Sequence, residues 1–357
     1  MKIITFPKTL VFVFLASFFA ISIFLKLSTQ TKAQGLETNT HQALSFNISP
    51  NGSYVATIEN LERQTAFDPD IGRIVPFYRN NLYITRSTDT ITWTQPQWIG
   101  TLTPTPRDTS GGHSFTFDTM GRELLAYTNS AGLHFHSYDP ASESLSEAIV
   151  STSSLTSNPS IHVAATAKLL ISYIQENALY LAVSSDNGTT WQTSRVGTET
   201  FAPADTSITT FSGDAYAISV QNKTSGILQA FISQDQGATW QTSTIATGAG
   251  VGEINELRYD PLTKSLRLVF FGSTQKTALF ATSQNGIKWK ISPIGEANIS
   301  EPYNGFAINY LSKNNRFVVF SSSKGYVGAT LFTSNNGRNW SQTSLNIPEI
   351  TALPYLF

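Results

Sequence analysis

From about residue 44 onward, short runs of alternating apolar and polar residues follow one another, each bounded by Gly, Asn, Asp, Ser or Pro. A period of two is the signature of half-buried β-strands, and turn residues between such runs mark hairpins. Six stretches share one layout of apolar run, polar turn and apolar run: 46–58, 115–127, 162–174, 208–220, 257–270 and 307–320. Long amphipathic helical patterns are absent. The pattern predicts an all-β chain of many short strands.

A second repeat sets the unit length. Four phrases read Ser-Ser-Asp-Asn-Gly-Thr-Thr-Trp (184–191), Ser-Gln-Asp-Gln-Gly-Ala-Thr-Trp (233–240), Thr-Ser-Gln-Asn-Gly-Ile-Lys-Trp (282–289) and Thr-Ser-Asn-Asn-Gly-Arg-Asn-Trp (333–340). Trp191, Trp240, Trp289 and Trp340 lie 49, 49 and 51 residues apart. In each phrase Gly188, Gly237, Gly286 or Gly337 supplies the permissive backbone of a tight turn. Asp186 and Asp235 are placed to hydrogen-bond the amides of their own turns, and the Trp opens the next strand with a ring to bury. These residues are read as structural. Two units hide the phrase: 86–93 keeps Trp93 without the Gly, and 137–145 puts Leu145 where a Trp would stand. Six hairpins and six phrase ends, about 50 residues each, predict a six-bladed β-propeller of four-stranded antiparallel blades over residues 43–357. The apolar tail 347–357 is placed to cover the seam between first and last blades.

The N-terminus is a separate object. Lys2 and Lys8 precede an uncharged apolar run from Thr9 to Leu25, and Lys26 closes it. Residues 1–33 therefore read as an N-terminal hydrophobic helix, either a cleaved signal peptide or a retained membrane anchor, with 34–42 as a polar linker. Both alternatives put the remainder outside the cytoplasm, secreted or membrane-anchored. The chain of 357 residues has no Cys and a formal net charge of −1, with 13% charged residues. That excludes disulfides, thiolate metal sites and thiol nucleophiles, and gives no electrostatic case for nucleic acid. No cofactor and no metal site is expected, membrane contact is expected only through the N-terminal segment, and the propeller is read as a monomer.

The phrase resembles the Ser-x-Asp-x-Gly-x-Thr-Trp pattern of the Asp-box, or BNR-repeat, proteins. Residues 184–191 and 233–240 match it fully, and the next two phrases replace Asp with Gln284 and Asn335. With six blades, the chain looks most like the sialidase-like superfamily. The motif marks an architecture shared by sialidases, receptors, assembly factors and glycosidases, so it leaves the activity open.

Strand order divides the molecule into two faces. Hairpin turns and Trp phrases share one, the structural face. Loops between blades and between second and third strands share the other, where ligands are expected by analogy with other propellers. On that face blade one carries an insertion at 61–79 with Glu62, Arg63, Asp68, Asp70, Arg73, Tyr78 and Arg79, a dense charge cluster in a chain poor in charge. Ligand-binding candidates are Arg63, Asp68, Asp70, Tyr78, Arg79, His113, Asp205 and Tyr326, and Phe201 is a further aromatic at the mouth. A sialidase-like site implies arginines for a substrate carboxylate, a Tyr nucleophile with a Glu partner, and an Asp acid/base. The matching candidates are Arg73, Arg107, Tyr303 and Glu301, while Asp68, Asp108, Asp205 and Glu253 are the candidate carboxylates for another glycosidase. Two readings stand: a glycan- or extracellular-protein-binding module, or a glycoside hydrolase.

Overall fold

The computed structural model describes residues 41–48, 54–68, 73–87, 97–102, 112–139, 142–201, 205–222, 225–248, 251–252, 255–272, 277–296, 306–311, 316–322, 329–335, 338–345 and 354–356. All regular structure among them is β, with no helix. The apolar N-terminal segment lies outside the described residues.

The strands form six sheets in chain order. The first holds β1 (His41–Ile48), β2 (Tyr54–Asp68), β3 (Arg73–Ser87) and β4 (Gln97–Leu102). The second holds β5 (His113–Phe117), β6 (Glu123–Asn129), β7 (Gly132–Asp139) and β8 (Ser144–Ser151). The third holds β9 (Thr156–Val163), β10 (Leu169–Gln175), β11 (Ala178–Ser184) and β12 (Gln192–Arg195). The fourth holds β13 (Thr206–Phe211), β14 (Ala215–Asn222), β15 (Ile227–Ser233) and β16 (Gln241–Thr247). The fifth holds β17 (Asn255–Asp260), β18 (Ser265–Gly272), β19 (Thr277–Ser283) and β20 (Lys290–Glu296). The sixth holds β21 (Phe306–Leu311), β22 (Arg316–Ser322), β23 (Ala329–Ser334) and β24 (Ser341–Leu345). Each is an antiparallel meander, and the six expected hairpins are β1–β2, β5–β6, β9–β10, β13–β14, β17–β18 and β21–β22. β25 (Pro354–Leu356) adds to the free edge of β1 in parallel, with Leu44 opposite Pro354, and also approaches β21. The C-terminal tail thus joins the first sheet to the last and covers an edge that would otherwise present unpaired amides.

First strands of successive sheets lie beside one another: β5 by β9, β9 by β13, β13 by β17 and β17 by β21. Apolar residues of facing sheets fill the spaces between. Leu124, Leu133 and Phe135 of the second sheet pack with Ile161, Leu169 and Tyr173 of the third. Leu170, Leu179 and Leu181 of the third meet Ile208, Tyr216 and Phe231 of the fourth. Phe211, Leu228 and Ile232 of the fourth meet Leu257, Leu266 and Phe270 of the fifth. The result is a propeller-like stack in which the third and fourth sheets are buried on both faces by their neighbours.

The Trp phrases hold this stack together in a specific way. Gly188, Gly237 and Gly286 have φ of +88°, +94° and +75°. A Cβ at 188 would overlap the Phe135 ring, one at 286 would overlap Ile232, and one at 237 would stand 3.2 Å from Leu181 Cδ2. Those three side chains come from the third strand of the preceding sheet each time: β7, β15 and β11. The glycine therefore serves the turn and also vacates the seat into which the previous sheet presses. The adjoining Trp lies over the same contact. Trp191 packs edge-on against Phe135 at 5.1 Å, Trp340 against Phe280 of β19 at 5.2 Å, and Trp191, Trp240 and Trp289 donate their indole N–H to the glycine carbonyl at 3.0, 3.1 and 2.9 Å.

The two full phrases are alike atom by atom. Asp186 Oδ1 accepts from the Ser184 hydroxyl (2.8 Å) and the Thr190 amide (2.9 Å), and Oδ2 accepts from the Thr190 hydroxyl (2.6 Å). Asp235 repeats this with Ser233 and Thr239 at 2.8, 2.8 and 2.5 Å. These bonds, the Thr hydroxyl first, draw both carboxyls down to about 2. The third phrase corrects the sequence alignment. Asn285, not Gln284, takes the carboxylate's part: its Oδ1 accepts from Ser283 Oγ and from the amides of Ile287 and Lys288 at 3.2, 3.0 and 3.2 Å. The Ser–Asx pair has moved one residue toward the glycine, because this turn has a single left-handed residue where the full phrases have two, Asn187–Gly188 and Gln236–Gly237. In the fourth phrase, Ser334 is buried and Trp340 half-buried, and Gly337 lies outside the described residues. Leu145 does not replace a Trp. It sits opposite Tyr138 with its side chain turned to solvent, 52% exposed.

Turns of neighbouring sheets are also bonded on this face. Arg122, held to Asp118 at 2.6 Å, donates to Asn187 Oδ1 at 2.9 Å, and Lys168 donates to Gln236 Oε1 at 2.6 Å. The hairpin turns and phrases therefore do share one side, and it is a fastened side.

Two substitutions separate the glycine's two duties. Gly213 has the same φ of +88° as Gly188 but open space where its Cβ would go. Gly213→Ala should cost about 1 kcal/mol from left-handed strain alone. Gly188→Ala should cost about 3 kcal/mol, because overpacking adds to that strain. Urea denaturation of both variants checks this, and equal losses would remove the seat from the account.

Candidate functional site

The first strands carry a polar ladder along the loop-to-turn axis. The residue just before each buried apolar position is Ser114, Ser160 or Ser207. Ser114 Oγ accepts from the Ile161 amide at 3.1 Å, Ser160 Oγ from Ile208 at 3.3 Å and Ser207 Oγ from Leu257 at 2.9 Å. Each first strand thus spends a hydroxyl on satisfying the edge of the next. In the fifth sheet the corresponding residue, just before Leu257, is Glu256.

Around Glu256 the structure gathers charged and polar groups from three sheets. Glu256 pairs with Arg258 at 2.5 Å and is 14% exposed. Burial raises its carboxyl, the charge of Asp205 adds to the rise, and Arg258 opposes both. Asp205, at the loop end of β13, accepts from Asn158 Nδ2 at 2.6 Å. Asn255 Nδ2 donates to the Asp205 carbonyl at 3.2 Å, and Thr206 donates to the Asn158 carbonyl at 2.9 Å. Further along, His162 Nε2 lies 3.0 Å from Thr210 Oγ1. Burial, with Arg258 nearby, lowers His162 to about 3, so its ring is neutral at ordinary pH. This assembly sets a carboxyl raised by burial near a second carboxyl, the arrangement from which acid/base work is built.

The insertion in the first sheet is strand, not loop. β2 and β3 stay paired from Tyr54↔Ser87 out to Asp68↔Arg73, so 61–79 lengthens one hairpin into a two-stranded arm. Its sequence is the reason: Thr65, Phe67, Ile74, Val75, Phe77 and Tyr78 are strand formers. The register sets Glu62 opposite Arg79, Arg63 opposite Tyr78 and Asp68 opposite Arg73, so residues of unlike charge hold paired positions along the arm.

Among the remaining candidates, His113 is the first residue of β5 and Asp205 belongs to the cluster just described. Phe201 is not at a mouth. It is fully buried and packs against Phe231 at 6.0 Å. Asp70, Arg107, Asp108, Glu253, Glu301, Tyr303 and Tyr326 lie outside the described residues. Sequence alone misses Arg258 as the partner of Glu256. It also missed a group on the second sheet: Tyr127, His134, His136 and Glu147. The signal was there in His134-x-His136, a spacing that puts both rings on one side of a strand.

No known family model matches the sequence, and no curated protein does. Solved structures resemble the fold. The BP39L lectin from Burkholderia pseudomallei aligns over 86% of this chain and 100% of its own at 13% identity and TM-score 0.60. AofleA from Arthrobotrys oligospora aligns over 88% and 89% at 11% identity and TM-score 0.53. The SapL1 lectin, in complex with alpha methyl fucoside, aligns over 67% and 82% at 12% identity and TM-score 0.51. At these identities the likeness is one of fold.

The neutral His162 has a testable consequence. Its folded value lies below its unfolded one, so it favours the folded state fully above about pH 6.5, and that advantage drains as pH falls toward 3. Glu256 works in the opposite sense, so the comparison is between variants. His162→Gln should flatten the stability profile in this window by up to about 1.4 kcal/mol per pH unit relative to wild type. Urea titrations at several pH values read it, and parallel profiles would contradict a buried neutral ring.

Proposed function

We propose that this chain is a six-bladed, Asp-box type propeller displayed outside the cytoplasm, and that it binds glycan through its loop face. The observation that carries the proposal is the arm at 61–79. It projects from the face opposite the fastened turns, it concentrates charge in a charge-poor chain, and it sets Arg63 beside Tyr78. A guanidinium and a phenol ring together suit a sugar: one donates paired hydrogen bonds and the other offers a flat apolar surface. Lectins share the fold, SapL1 with a fucoside bound, which supports carbohydrate as the ligand class. The N-terminal apolar segment, as signal or anchor, supports the location.

A second reading, glycoside hydrolysis, rests on Glu256 and Asp205. A carboxyl raised by burial beside a second carboxylate is what general-acid catalysis asks for. Against it, Glu256 is already bonded to Arg258 and Asp205 to Asn158, which suits a strut between first strands.

Glycan-array binding by the full chain decides between them. Arg63→Ala and Tyr78→Ala should each weaken the bound glycan about tenfold or more, in line with loss of a central contact, while Glu256→Gln leaves binding intact. A fluorogenic glycoside panel should show no turnover. Unchanged binding after removal of 61–79 would refute the arm, and turnover abolished by Glu256→Gln would establish the hydrolase.

A further inference from the structure

We infer that Asn187 and Asn285 are latent deamidation sites, and that the serines of their phrases, Ser184 and Ser283, keep them from reacting. Each Asn is exposed and precedes a buried glycine, Gly188 or Gly286. Asn is a thermolabile residue. In an Asn-Gly pair the glycine nitrogen gives up its proton and attacks Cγ of the Asn, with no glycine side chain to hinder the approach. The new N–Cγ bond closes a five-membered imide, and the side-chain nitrogen leaves as ammonia. Water then opens either carbonyl of the ring, giving Asp or isoaspartate. The balance is one water taken up and one ammonia released, with no change of oxidation state.

The structure withholds the nucleophile. Gly188 donates its N–H to Ser184 Oγ at 2.8 Å, and Gly286 donates to Ser283 Oγ at 2.8 Å, both in buried settings. Each hydroxyl is oriented from its other side. Ser184 donates to Asp186 Oδ1 at 2.8 Å and Ser283 to Asn285 Oδ1 at 3.2 Å, which leaves the serine lone pairs for the glycine amide. A buried amide proton held in this way is given up only after its bond is broken. The carboxamides are held as well. Asn187 Oδ1 accepts from Arg122 Nη2 of the preceding sheet at 2.9 Å, and Asn285 Oδ1 from the amides of Ile287 and Lys288 at 3.0 and 3.2 Å. Turning either side chain onto its glycine costs those bonds too.

The fourth sheet carries a natural comparison. Gln236 stands at the position of Asn187 with the same left-handed backbone, φ +58° against +59°, and Gly237 donates to Ser233 Oγ at 2.7 Å. A Gln has to close a six-membered ring, so this turn has the guard without the reactive pair. The position matters because of the seat beside it. Isoaspartate at 187 adds one atom to the main chain immediately before Gly188, where a single Cβ would already overlap the Phe135 ring. Conversion in an unfolded chain therefore spoils a contact between sheets, and the folded phrase prevents that conversion.

The test is peptide mapping by mass spectrometry of the full chain in mild detergent, incubated at mildly alkaline pH with and without urea. In the native wild type, Asn187 and Asn285 should convert more slowly than in urea by about tenfold or more, the rate equivalent of one buried hydrogen bond. Ser184→Ala should accelerate Asn187 by a similar factor and leave Asn285 unchanged. Ser283→Ala should do the reverse, so each site reports on folding for the other. Gln236→Asn, a change at an exposed turn residue, should create a third site, slow in the native chain and fast in urea. Equal rates in native and unfolded wild type overturn the proposal. So does a Ser184→Ala chain whose Asn187 stays slow. Acceleration of both sites together by either serine variant also overturns it, because the protection then belongs to the fold at large and not to the serine.

Discussion

The structure depends on one steric vacancy repeated around the stack: the missing side chain of the phrase glycine, into which the preceding sheet's third strand pushes Phe135, Leu181 or Ile232. A sheet buried on both faces has nothing in its own hydrogen bonding to fix its distance from the next. Here the distance is set by a side chain that fits only where a Cβ is absent, with a Trp laid over the contact and pinned to the glycine carbonyl. Burying one such aromatic or aliphatic side chain contributes about 1.5–3 kcal/mol. The contact recurs at each of these sheet boundaries, so no single one has to be strong.

At the inner edge of the sheets the same spacing is maintained by polar means. Three serine hydroxyls accept amide hydrogens from the following first strand. Glu256 breaks the series. A carboxylate at a serine's position needs a counter-charge, and Arg258, two residues along the same strand, supplies it. The cost appears in the raised Glu256 and the neutral His162: charge is kept at that point at the expense of shifting its neighbours.

Much of the fold was legible because it is written in local chemistry. Alternation gave the hairpins, and the Gly–Trp phrase gave the unit length. What misled was alignment by letter. Gln284 occupies the Asp position of the pattern, yet Asn285 makes the bonds, because a turn with one left-handed residue brings a different side chain over its amides. Leu145 matched the period and not the packing. The insertion was legible as an insertion, but its strand character depends on cross-strand pairing, which a count of residues does not reveal. Of the candidate site, Asp205 was named from its loop. Its links to Asn158 and Asn255 span three sheets, and no local pattern carries contacts between residues 47 or more positions apart.

Satisfaction of polar atoms separates framework from site in this molecule. In the full phrases each Asp oxygen has a donor of its own, and the Ser, Thr and Trp groups around it are matched, so nothing remains to engage a ligand. That is the behaviour of a fastener. The Asp205–Asn158–Asn255 network is nearly as complete. At Glu147 one carboxylate oxygen lies within 3.2 Å of both His134 Nδ1 and His136 Nε2, and His136 Nδ1 is buried with no partner among the described residues. The phrase residues are therefore spent on the fold, and they do not mark a site of catalytic chemistry.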